Sequence, residues 1–203
     1  RRIAEAYPST TVVFADIVGF TPWAQRTPPH EVVDLLDGMF TTFDELVEQH
    51  GLEKIKTIGD AYMAAAGVPN QMPDHAQRLA RLSLDLLAAA ERASDAIGMP
   101  LALRIGLASG PLMGGVIGAK RLTYDVWGDT VNLASRLEGS GEPGRVHVSA
   151  RAKILLESDF QLESRGVVNI RGFGTEQTWY LALPAEAARS PAADVPDSIP
   201  SLP

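Results

Sequence analysis

Apolar and polar positions fall along this chain in blocks that predict strands and helices in a definite order. Thr11 to Ala15 is an apolar, β-branched run and predicts a buried strand. It stops at Asp16, and Gly19, Thr21 and Pro22 mark a turn. Pro28 and Pro29 open a predicted helix over 30–49. Within it Val33, Leu36, Phe40, Phe43 and Val47 recur at helical spacing, and Gly51 supplies the stop. Two strand-like runs, 52–58 and 61–66, are separated only by Gly59 and Asp60, a hairpin signal. Asp74 is placed to cap an Ala- and Leu-rich helix that ends near Ile97, before Gly98 and Pro100.

A further strand is predicted over 101–108. Gly110, Gly114, Gly115 and Gly118 then read as a turn-rich connection. Residues 122–126 look extended, and Gly128-Asp129 leads into a helix over 130–138 with Asp129 as its expected N-cap. A strand at 146–148, a helix from Ala150 and antiparallel segments at 160–164, 167–170 and 178–183 close the pattern. The order strand, helix, strand, strand, helix, strand predicts an α+β fold with a ferredoxin-like βαββαβ core, extended by C-terminal strands and a helix. Residues 1–10 read as a lead-in and 11–183 as one domain. Residues 184–203, rich in Ala, Pro and Ser without periodicity, read as a disordered tail.

Composition narrows the function. The 203 residues are 45% hydrophobic and 21% charged, ordinary values for one globular domain. There is no cysteine, which excludes disulfides, thiolate metal sites and a cysteine nucleophile. A net charge of −7 argues against charge-driven binding to nucleic acid or anionic lipid. A polyanionic substrate would have to be held by a few placed cations. No run approaches the roughly 20 apolar residues that span a bilayer, and no secretory signal is evident. Arg1 in place of Met reads as the start of a fragment, with any membrane segment lying upstream.

Several residues could carry chemistry. Asp16 ends a buried strand and Asp60 sits in a hairpin turn, so both could meet around hard cations, which take oxygen ligands. The plainer alternative is a strand-end cap and a turn former. Lys56, four residues before Asp60, could serve a different site or simply protect a sheet edge. Asn132 and Arg136 share a helix face, which could bind phosphate and ribose or simply be solvated. Asp125, in Tyr124-Asp125-Val126-Trp127, is an acid in an apolar setting and needs a partner. The glycine-rich stretch fits neither a dinucleotide fingerprint nor a P-loop, since Lys120 is followed by Arg121. His30, His50, His75 and His147 lack zinc-ligand spacing and are assigned to helix ends and the surface. Ser109 and Ser135 have no evident His/Asp partners for a hydrolase triad.

Together, three segments resemble class III nucleotide cyclases. They are Phe14-Ala15-Asp16-Ile17-Val18-Gly19-Phe20-Thr21, Glu53-Lys54-Ile55-Lys56-Thr57-Ile58-Gly59-Asp60-Ala61-Tyr62-Met63, and Tyr124-Asp125-Val126-Trp127-Gly128-Asp129-Thr130-Val131-Asn132-Leu133-Ala134-Ser135-Arg136. The resemblance is strongest to mycobacterial membrane-linked adenylyl cyclases. It implies the class III cyclase fold and conversion of ATP to cyclic AMP and pyrophosphate. It implies that Asp16, Asp60 and the Ile17 backbone carbonyl bind two Mg²⁺ or Mn²⁺ ions per site. Lys56 and Asp125 match the adenine-selecting pair, where guanylyl cyclases typically carry Glu and a small residue such as Cys. Asn132 would orient the ribose and Arg136 would steady the α-phosphoryl group. Arg171 matches a Lys that holds the terminal phosphates, and Phe173 stands where many relatives have another Lys. The resemblance further implies a homodimer with two shared sites, in a cytoplasmic domain that an upstream segment could tether to the inner membrane face. Guanylyl cyclase activity, or a catalytically silent dimerising module, are the competing expectations.

Overall fold

The computed structural model describes residues 3–118 and 121–183. Thirteen elements follow one another: β1 (Ile3–Ile17), α1 (Phe20–Ala24), α2 (Pro29–Gln49), β2 (Glu53–Ile58), β3 (Ala61–Ala66), α3 (His75–Ile97), β4 (Leu103–Ile117), β5 (Thr123–Trp127), α4 (Asp129–Gly139), β6 (Val146–Val148), α5 (Ala150–Leu156), β7 (Leu162–Ile170) and β8 (Gly174–Leu181). With the short α1 set aside, β1-α2-β2-β3-α3-β4 gives the expected βαββαβ core. Its strands run β2-β3-β1-β4, each pair antiparallel. The sheet continues β4-β6-β8-β7, and β5 adds to the far end of β4. No described helix is long and apolar enough to cross a membrane.

β1 and β4 are the long central pair, in register from Ile3↔Val116 to Ile17↔Leu103 with one irregularity between Tyr7 and Thr10. Strand β1 therefore begins well inside the stretch read as a lead-in. The β-branched signal marks only the part of it that is covered on both faces. Alternation along β1 divides the core. Val13 and Ala15 face α2 and α3, joining Phe43, Leu79, Leu82 and Leu86. Val12 and Phe14 face α4, joining Ala134 and Leu137. Leu79, Leu82 and Leu86 are 0% exposed, and full burial of such a side chain contributes roughly 2 kcal/mol. Val33, expected on the apolar face of α2, is exposed, while Leu35 and Leu36 pack partly buried against the core and full burial along the helix begins at Met39.

The glycines of β4 correct the sequence reading. Gly110, Gly114 and Gly115 lie within a continuous strand to Ile117 rather than in turns, and Gly118 follows the strand's end. A Cβ at Gly106 would fall 2.2 Å from Ala134 O and from Glu138 N, so glycine here lets α4 rest directly on the strand backbone. A Cβ at Gly114 would fall 2.4 Å from the Tyr124 hydroxyl. Two expected caps also differ. Asp74 precedes α3, but its carboxylate takes a 2.8 Å bond from Arg78 Nε instead of a backbone N–H. Asp129 is the first residue of α4, and Gly128 stands at the N-cap with φ 135°, a backbone angle that side chains rarely adopt. Residues 184–203, expected to be a tail, lie outside the described residues.

Candidate active site

Hairpin geometry places the first pair of acids. Gly59 takes φ 60° and turns the chain between β2 and β3, leaving Asp60 half-buried at the turn. Asp60 Oδ2 accepts a 3.3 Å hydrogen bond from the backbone N–H of Ile17, so the turn is tied to the end of β1 beside Asp16. Burial raises the Asp60 pKa above the ordinary carboxylate range, and the nearby Asp16 charge adds to that rise. The Asp16 Oδ1 atom is buried and has no hydrogen-bond partner among the described residues.

Two residues missed in the sequence complete this corner. Arg104 is the register partner of Asp16 on β4, with Nη2 3.3 Å from Asp16 Oδ2. Its Nε is 3.3 Å from Glu138 Oε1 on α4. Burial works against the Arg104 charge, but Asp16, Glu138 and Asp60 outweigh it and hold its pKa above the usual value. Burial, and then the Asp16 carboxylate, push Glu138 up to about 8. The signal was an arginine inside the apolar run Leu103-Arg104-Ile105, which has to find an acid.

Crowded carboxylates, one with an orphaned oxygen, form a donor set suited to hard divalent cations. No cluster of three or more His, Asp or Glu side chains arranged to enclose an ion occurs among the described residues. Asp16 and Asp60, tied together through the Ile17 backbone, are the two acids here that could hold such a cation.

Lys56 and Asp125 form a second set. Strand β2 is the edge of the sheet, yet Lys56 does not simply shield it. Its Nζ donates a 2.6 Å bond to Asp125 Oδ2 on β5. The other carboxylate oxygen accepts from Val126 N at 2.9 Å. Asp125 is 8% exposed, so this pairing is the partner that its apolar setting demanded. Lys56 and Asp60 belong to one hairpin but engage different groups.

Asn132 and Arg136 project from the exposed face of α4, opposite the buried Thr130, Ala134 and Leu137. Neither joins an ion pair with the described residues. Arg171 is exposed in the turn between β7 and β8, likewise without an ion pair. Phe173, in that same turn, packs partly buried against the Val12–Phe14 cluster. Within one chain these four groupings stay separate. The acids lie at the end of β1, the Lys56–Asp125 pair lies between β2 and β5, and Asn132-Arg136 and Arg171 face outward.

His75 begins α3, as expected of a helix end, but it and His147 are buried rather than at the surface. His75 is 4% exposed, bonded through Nδ1 to Thr11 Oγ1 at 2.7 Å and through Nε2 to Ser9 Oγ at 2.9 Å. His147 is 0% exposed on β6 and meets Leu137 O through Nδ1 at 2.8 Å. Burial lowers both pKa values, that of His147 to about 4.

Comparison with known proteins places these features. Residues 3–183 match the Adenylate and Guanylate cyclase catalytic domain family. The chain is 49% identical over 179 residues to an adenylate cyclase of Mycobacterium tuberculosis, covering 88% of this chain and 40% of that relative's length. It is 43% identical over 183 residues to retinal guanylyl cyclase 1 of Rattus norvegicus, covering 87% of this chain and 16% of the relative. Among solved structures, the catalytic core of a rhodopsin-guanylyl cyclase with converted specificity, in complex with ATPalphaS, superposes with a TM-score of 0.83. That match has 34% identity and covers 89% of this chain and 98% of the other. Relatives of both nucleotide preferences are therefore similar to this chain.

Proposed function

Given that the chain belongs to the adenylate and guanylate cyclase catalytic domain family, we propose that it converts ATP to 3′,5′-cyclic AMP and pyrophosphate at composite sites of a homodimer. The observation that carries the choice of base is the Lys56–Asp125 pair, held at 2.6 Å. Adenine presents an acceptor at N1 and a donor at the N6 amino group. Lys56 donates to the first and Asp125 accepts from the second. Guanine presents a donor at N1 and an acceptor at O6, so each contact would set like against like. Buried polar mismatches are a strong source of discrimination, on the order of 10⁴-fold at best.

Asp16 and Asp60 are the residues that hold two divalent cations. When bound, these supply a lowered pKa for the ribose 3′-hydroxyl and charge neutralisation for the departing pyrophosphate. Asn132 orients the ribose. Arg136, exposed and free of carboxylates, meets the α-phosphoryl group with its planar fork. Arg171 steadies the terminal phosphates. The result is positioning plus fixed charge, the usual sources of catalysis in phosphoryl transfer.

Two copies complete the site in this reading, since the four groupings make no contact with one another that would join them within one chain. One protomer supplies the aspartates and its partner supplies Lys56, Asp125, Asn132 and Arg136, and a two-fold axis repeats the arrangement. The test is a product assay with ATP and GTP side by side, with Mn²⁺ and with Mg²⁺, over a range of protein concentration. Cyclic AMP formation whose activity per subunit rises with concentration is the expected result. Preferential cyclic GMP formation would overturn the choice of base.

A further inference from the structure

A cavity of about 240 Å³ opens between α4, the start of α5 and one face of β8. None of Asp16, Asp60, Lys56 and Asp125 lines it. Its floor is apolar, made by Leu133 and Leu137 of α4 and Ile170 of β7. Its walls carry two opposite charges, Arg151 and Glu176. Neither joins an ion pair with any described residue, and they do not pair with each other. Glu176 is half-buried and shares its face of β8 with Thr178, which is 1% exposed. Ser149 supplies a third group. It lines the same cavity and is 4% exposed. Its Oγ accepts from Ser109 N at 3.4 Å and from Ala152 N at 3.2 Å, and its own proton goes to no described residue. A buried hydroxyl proton without an acceptor is costly, and an acceptor brought into the cavity removes that cost.

We propose that this cavity is a binding site for a small zwitterion with an apolar side chain, the chemistry of a free α-amino acid. Ser149 and Arg151 hold the carboxylate, a charge-assisted contact of the stronger kind. Glu176 takes the ammonium, and Leu133, Leu137 and Ile170 cover the side chain. A ligand with one charge fits less well, because an anion is repelled by Glu176 and a cation by Arg151. The volume is below the roughly 300–1,000 Å³ of sites for drug-sized ligands, which limits the occupant to a small molecule. The site is separate from the base-reading pair and the acids, and it backs the helix whose exposed face carries Asn132 and Arg136.

The test is isothermal titration calorimetry of the purified chain without nucleotide, with L-valine, L-leucine and L-phenylalanine as probes. Each is compared with the acid that lacks its amino group and the amine that lacks its carboxylate. At least one amino acid is expected to bind, about 10-fold or more tighter than either of its analogues. E176Q should bring that amino acid down to the affinity of its acid, and R151M to that of its amine. No binding by any of the three up to about 10 mM would overturn the proposal. So would binding that does not prefer the zwitterion over its analogues. A preference that survives both R151M and E176Q places the ligand elsewhere and overturns the proposal as well. R151M changes an exposed side chain and E176Q keeps the shape of glutamate. Should either fail to fold, the analogue comparison on the wild type still decides the zwitterion, and the remaining variant still decides the place.

Discussion

Lys56 on β2 and Asp125 on β5 meet at 2.6 Å although their strands are not paired with each other in the sheet. The contact bridges the open side of the β2-β3-β1-β4 core and presents a donor next to an acceptor. Exchanging the pair for K56E/D125C reverses both polarities. The ratio of kcat/KM for ATP over GTP is expected to fall by about 100-fold or more, which parallel assays on the two nucleotides will measure. A ratio unchanged by the exchange would detach this pair from the base.

Acid should destabilise the fold through its two buried histidines. His147 takes a proton near pH 6.5 when unfolded but only near 4 when folded, because burial disfavours its charge. His75 shifts the same way. Between those values the unfolded chain binds more protons. The stability they contribute is complete above pH 6.5 and is lost as pH falls towards 4. For His147 alone the loss is about 3 kcal/mol. Urea unfolding at pH 7.5 and pH 4.5 measures it, and H147N should show a shallower acid slope.

The ordering of strands was legible because β-branched runs, helical spacing and the Gly59-Asp60 turn each have a local physical cause. The length of β4 was not. Gly110 and Gly114 look like turn residues until the side chains that fill the space beside them, Thr130 and Tyr124, are in place. Asp16, Asp60, Lys56 and Asp125 could be singled out as acids and a base in odd settings. That Lys56 binds Asp125 could not, since 69 residues separate them. Arg104 and Glu138 went unnoticed for the same reason, as a buried ion contact depends on which strand faces which helix. His75 stands at a helix end, as its sequence setting suggests, but the burial of His75 and His147 is set by the elements packed over them, which local sequence does not report.

Gly106 is a prediction in its own right. G106A places a methyl 2.2 Å from the backbone of α4, and backbone cannot rotate away as a side chain can. Stability should fall by about 2–4 kcal/mol. Activity should fall further than the folded fraction does, because α4 carries Asn132 and Arg136. Thermal melts with matched assays check this.

D60N separates function from stability. It removes one of two mutually repelling carboxylates, so without metal the variant should melt at the wild-type temperature or about 2–4 °C higher. Mn²⁺ should raise the melting temperature of the wild type and leave that of D60N unmoved. Calorimetry with and without Mn²⁺ reads both.

Mixing two inactive variants tests the shared site most directly. D16A lacks a cation ligand and R136A lacks the group that meets the α-phosphate, so neither homodimer should make cyclic AMP. Equal amounts of both should form heterodimers with one intact site, giving on the order of a quarter of wild-type activity if pairing is random. A mixture that stays inactive, while both variants fold and exchange partners, would contradict the division of labour between two protomers.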